Sequence, residues 1–193
     1  MENSITYFEK PGIENTDELI SIVTEKLLTS DIKYVAIASV SGKTALKLSD
    51  SLEKAGINDR ITIVNTTHHA GFREANETEL NPGIVEELEN RGIITFVGSH
   101  ALSGVGRGIS NHFGGVTPVE IIAETLRMFS HGIKVCGEIS IMLADAGLIP
   151  VEEEILAIGG RATGCDSAAI ITPANMTKVF QMRFHEILAM PRD

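Results

Sequence analysis

One segment constrains the fold of this chain more than any other: Tyr34-Val-Ala-Ile-Ala-Ser-Val-Ser-Gly-Lys-Thr44. The apolar run Tyr34–Ala38 ends in Ser39, Val40, Ser41, Gly42, Lys43 and Thr44, and an amphipathic pattern begins at once, with Ala45, Leu48, Leu52 and Ala55 on one face. That order reads as strand, tight turn and helix N-terminus. A helix start leaves several N–H groups unpaired and carries partial positive charge. Hydroxyls, a backbone-permissive glycine and a lysine placed there make a candidate phosphate cradle.

The same alternation runs from end to end. Asn15 and Glu18 read as a capping pair for a helix whose apolar face is Leu19, Ile20, Val23 and Leu27. Ile61–Val64 and Ile93–Val97 read as strands, separated by a helix that starts at Asn81-Pro82, carries Ile84, Val85 and Leu88, and stops at Gly92. Residues 98–116 are rich in Gly and Ser and show no period. Thr117-Pro-Val-Glu120 is a capping box, and its helix carries Ile121, Ile122, Leu126 and Phe129, with Gly132 as the stop. Val135, Ile139, Met142 and Ala146 mark another helix. Glu138 and Asp145 share a face of it, as a solvated stripe. Ile155–Ile158, Ala168–Ile171 and Phe180–Ile187 read as strands. No linker separates two cores, so residues 1–193 are expected to form one domain. Strands separated by helices imply an α/β class, a three-layer α/β/α sandwich around a mostly parallel sheet.

In such sheets ligands sit beyond the carboxyl ends of the strands. That rule selects four loops: 39–44, 66–72, 98–108 and 159–167. In the second, Thr66 and Thr67 precede His68, His69, Gly71 and Phe72; the histidines can bond a ligand and Phe72 can stack on a ring. In the third, Ser99 and His100 begin a Gly-rich stretch in which Arg107 can meet a second anion, as a lid or as a surface loop. In the fourth, Asp166 can accept bonds from hydroxyls or a heterocycle N–H, or simply shape a turn. Cys165 lies beside it with no base in view for a nucleophile. His68, His69, His100, His112 and Cys165 show no HxxxH or CxxC spacing, so no metal is expected.

Composition removes some classes. The net charge is −10, and the lysines and arginines are scattered along the sequence. A duplex-binding surface needs clustered positive charge, so neither nucleic acid nor an anionic membrane is an expected partner. No apolar run is long enough to span a bilayer. The first residues lack a basic start followed by an apolar stretch, and the two cysteines suit a reducing compartment, so a cytoplasmic protein is expected.

The turn is not a Walker A loop, because Ile37 stands where that motif needs glycine, and it is not GxGxxG. Ser39-x-Ser41-Gly42-x-Thr44 resembles the phosphate loop of flavodoxins. The longer stretch from Val35 to Ala45, continued by Ile61–Thr66 and later by Ala144–Ile149 and Ile155–Gly160, resembles the C-terminal domain of pyruvate kinases. That resemblance implies a stand-alone domain of this kind, with a phosphate held by Ser39, Ser41, Gly42, Lys43 and Thr44. It also implies self-association, because such domains pack against copies in their parent enzymes. The catalytic barrel is missing, so pyruvate kinase activity is not expected. The expected function is binding of a phosphorylated small molecule. FMN is the first candidate ligand, from the flavodoxin-like spacing, and a sugar phosphate the second. A flavin-dependent oxidoreductase and an effector-binding regulatory subunit are the corresponding activities, with no catalytic residue assigned.

Overall fold

In a computed structural model, residues 4–192 are described. The strands are β1 (Thr6–Phe8), β2 (Tyr34–Ala38), β3 (Thr62–His68), β4 (Ile94–Gly98), β5 (Ile155–Gly159), β6 (Ser167–Thr172) and β7 (Arg183–Pro191). The α-helices are α1 (Thr16–Leu28), α2 (Lys43–Lys54), α3 (Pro82–Asn90), α4 (Gly104–Phe113), α5 (Pro118–Arg127) and α6 (His131–Asp145). The strands form one sheet in the order β1-β7-β6-β5-β2-β3-β4. β2, β3, β4 and β5 are mutually parallel, and β6 runs against both of its neighbours. The protein is therefore α/β with a mostly parallel, mixed sheet.

Side chains alternate between the faces of a strand, and the two faces meet different helices. Val35, Ile37, Ile63, Leu156 and Ile158 face α1, α2 and α3, and pack on Leu19, Val23, Leu27, Leu48, Leu52 and Leu88. Ala36, Val64, Ile155, Ala157 and Ile171 face α6, and pack on Ile133, Cys136, Ile139 and Leu143. A smaller cluster of Leu102, Ala123 and Ile141 seats α5 and the segment before α4 on the outer side of α6. Helix α6 is thus covered on both sides and buried over most of its length. A helix enclosed in this way has no solvated face. That overturns the reading of Glu138 and Asp145 as a stripe: Glu138 is 1% exposed, whereas Asp145 is exposed and bonds Asn175 Nδ2 and the Met176 N–H.

Several local expectations are corrected. The Gly-rich segment 98–116 contains helix α4 rather than an aperiodic loop. Asn15 bonds the Lys10 carbonyl with its side-chain amide and caps nothing; Thr16 Oγ1 instead accepts the Cys165 N–H at 3.1 Å. Gly132 does not end α5. It is the second residue of α6, which Ser130 caps through a 3.0 Å bond from the Ile133 N–H. The last strand begins at Arg183, because residues Met176–Gln181 form a 3-10 turn. Strand β3 runs on through Thr66, Thr67 and His68, which are strand residues rather than loop. The capping box stands: Glu120 accepts both the Thr117 N–H at 2.9 Å and its hydroxyl at 2.7 Å.

Candidate functional site

Strands β2, β3, β4 and β5 lie side by side in parallel, so the segments that follow them share one edge of the sheet. The turn after β2 is held from three directions. The Ser39 N–H donates to the Thr66 carbonyl at 3.1 Å, the Gly42 N–H to the Ser39 carbonyl at 3.1 Å, and the Thr44 N–H to Ser39 Oγ at 3.2 Å. Gly42 is in the left-handed region at φ 75°, and a Cβ there would fall 2.5 Å from Ile84 Cγ2. Only glycine makes this turn without strain or collision.

The roles of the turn residues divide accordingly. Ser39 and Thr44 are buried, and the Ser39 hydroxyl already serves helix α2 as an acceptor. Ser41 and Lys43 are exposed, and Lys43 is in no ion pair among the described residues. The N–H groups of Ser41 and Lys43 have no hydrogen-bond partner among the described residues. Val40 is half-buried, and its carbonyl accepts the Thr67 hydroxyl at 3.2 Å, which ties the turn to the end of β3.

Beside that tie the structure assembles an aromatic cluster. The rings of His68 and Phe72 lie 3.7 Å apart at 31°. His100 stands 5.2 Å from His68 and 5.3 Å from Phe72. His68 Nδ1 pairs with Glu79, which also takes Arg73 Nε at 2.8 Å. Gly71 is exposed in the connecting loop, Ser99 is exposed next to His100, and Phe72 keeps 46% of its surface open. Burial lowers the His100 pKa; Glu138 opposes that shift and His68 and Lys134 add to it. His100 is therefore an uncharged hydrogen-bonding ring at neutral pH. The described residues contain no group of three or more His, Cys, Asp or Glu placed to hold a metal ion.

Asp166 stands elsewhere. It is 1% exposed, accepts the Gly12 N–H at 3.2 Å and the Ser167 hydroxyl at 2.9 Å, and its pKa is raised by burial. It lines a cavity of about 530 Å³ with Arg107, Arg127, His131, Arg161 and Arg192, at the N-terminus of α6. Four of the arginines that are scattered along the sequence are thus gathered in space. No residue of the 39–44 turn or of the His68 cluster lines this cavity. The predicted site residues accordingly fall in two neighbourhoods, one around the turn, His68, Phe72 and His100, and one around Asp166.

Two further features escape sequence reading. Lys134 and Glu138 form an ion pair that is 4% and 1% exposed, and Glu138 Oε1 also accepts the Leu102 N–H at 2.9 Å. Their i, i+4 spacing is visible in the sequence, but their burial depends on the cover supplied by α5 and residues 99–103. Asn65 is fully buried and neither of its side-chain polar atoms is bonded among the described residues, nor is the hydroxyl of Thr95, its register partner on β4. Cys136 and Cys165 are buried free thiols. Burial pushes the Cys165 thiol up to about 12 and the Cys136 thiol higher still, so neither is ionised at neutral pH and Cys165 is no nucleophile.

Compared with known protein families, the chain matches no family model.

Proposed function

We propose that this protein binds a phosphorylated small molecule at the carboxyl edge of its sheet, with the phosphate on the Ser39–Thr44 turn. One observation carries the reading. Gly42 turns the backbone so that two unbonded N–H groups, the Ser41 hydroxyl and the exposed Lys43 ammonium all lie at the start of α2. That is the donor set a phosphate dianion needs. The organic part of the ligand extends over Thr67 toward His68, Phe72 and His100.

FMN is the ligand to test first. The exposed face of Phe72 offers one stacking surface, and His100 and Ser99 offer polar contacts at the edge of a ring. We read the fold as a three-layer sandwich of the pyruvate kinase C-terminal type, supported by helices on both sheet faces and by the position of the turn after β2. The protein is read as cytoplasmic and self-associating. The second point is supported by α4 and the segment around it, where Val105, Phe113 and Val116 are 80%, 79% and 69% exposed.

The experiment is a titration of the purified protein with FMN, followed by flavin fluorescence, alongside the spectrum and mass of any small molecule released on denaturation. Lys43→Ala is expected to weaken binding about ten- to a hundredfold, the loss of one charge-assisted hydrogen bond. Lys43→Ala and Ser41→Ala variants that bind as the parent does would falsify the assignment of the turn.

A further inference from the structure

We propose a second, separate anion site: the cavity at the N-terminus of α6 binds the oligophosphate group of a small organic molecule. Four arginines line it, from four places in the chain. Arg107 comes from α4, Arg127 from the end of α5, Arg161 from the turn after β5 and Arg192 from the end of β7. Among the described residues they share the wall with two carboxylates, Glu124 and Asp166. Glu124 is engaged by Arg127, and Asp166 is occupied by the Gly12 N–H and the Ser167 hydroxyl. Arg107, Arg161 and Arg192 make no ion pair among the described residues.

The net charge of the chain is −10. Collecting unpaired cations in one concavity of such a chain costs mutual repulsion, and a ligand with several negative charges removes that cost. A guanidinium presents planar, forked donors that match phosphate oxygens two at a time. The start of α6 adds its positive end to the same wall, and His131 adds a ring nitrogen. A volume of about 530 Å³ exceeds what one phosphate fills and suits a chain of two or three with an organic group attached. Met128 and Phe129, 83% and 54% exposed at the rim, give that organic group an apolar surface.

This site is independent of the Ser39–Thr44 turn, and the test separates the two. Isothermal titration of the full chain uses inorganic tripolyphosphate and ATP as probes. Both are expected to bind, more weakly as salt is raised. Arg161→Gln and Arg192→Gln are each expected to weaken tripolyphosphate about ten- to a hundredfold, Arg161→Lys less, and Lys43→Ala not at all. Circular dichroism of the same samples checks that these surface variants are folded. The proposal is overturned if tripolyphosphate does not bind, if folded arginine variants bind it as the parent does, or if Lys43→Ala alone abolishes binding. FMN binding that survives none of the turn variants, with tripolyphosphate binding unaffected by them, leaves both sites standing. FMN binding that persists in the turn variants, with tripolyphosphate binding lost in the arginine variants, removes the turn and keeps this cavity.

Discussion

Gly132 and Ser167 are in such close approach that a Cβ on Gly132 would lie 2.3 Å from the Ser167 hydroxyl oxygen and 2.8 Å from Asp166 Oδ1. The first turn of α6 therefore rests directly on the start of β6. Neither neighbour is free to move, because Ser167 is hydrogen-bonded to Ser130 and to Asp166. Gly132→Ala is expected to lower stability by about 1–3 kcal/mol, the usual range for overpacking. Urea unfolding checks this, and a variant as stable as the parent would contradict the contact. The same substitution pushes Asp166, and with it the wall of the arginine-lined cavity.

The Lys134–Glu138 pair is enclosed by α6, α5 and the Leu102 N–H. Removing one partner leaves an uncompensated buried charge, so Glu138→Leu or Lys134→Met alone is expected to cost about 3–5 kcal/mol. The double variant removes both charges and is expected to recover most of that loss. Chemical denaturation of the three variants measures the coupling, and additive single effects would show that the pair does not act as a unit.

Among the described residues Asn65 has no hydrogen-bond partner for either side-chain polar atom, and it faces the apolar packing of Ile37 and Ile63. An unbonded buried polar group carries a desolvation penalty. Asn65→Leu is therefore expected to raise stability by about 1–3 kcal/mol. A fall in melting temperature would show that the amide is engaged in the folded protein.

His131 is depressed from 6.5 to about 4, first by burial and then by Arg127, Lys134 and Arg161, with Glu138 opposing. The cavity around it also holds Arg107, Arg192, Glu124 and Asp166. Between pH 6.5 and about 4 the unfolded chain carries the His131 proton and the folded chain does not. Acidification through that window therefore destabilises the protein, and the contribution is fully recovered above pH 6.5. Titration of the ring by NMR is expected to give the depressed value in the free protein and a higher one with tripolyphosphate bound, because the anion favours the imidazolium. An ordinary histidine pKa in the free protein would contradict the positive surroundings drawn here.

Periodicity and turn chemistry carried most of the element pattern. The face of α1, the β2–turn–α2 unit and the capping box at Thr117 are all local devices, set by residues within a few positions of one another. Helix α4 is hidden in the sequence because Gly104, Gly106 and Gly108 have weak helical preference; in the fold it packs on α5. Strand β1 was hidden because it is three residues long and owes its existence to pairing with β7, far along the chain. The grouping of His68, Phe72 and His100 was half legible. The strand-end rule points to the segments that carry these residues, but the stacking of His68 on Phe72 depends on how those segments fold together.

The sequence by itself determined the alternation of strand and helix, the mainly parallel sheet and the edge at which the Ser39–Thr44 turn lies, because those follow from short-range patterns of burial and backbone preference. Tertiary structure decided everything that depends on residues distant in sequence becoming neighbours. It buried Lys134 with Glu138, placed Asp166 in the wall of a cavity that the histidine cluster does not line, reversed β6, and brought Arg107, Arg127, Arg161 and Arg192 around one cavity. Charge acts through space and not along the chain, so the arginines look dispersed in the sequence and become one positive wall only in the fold.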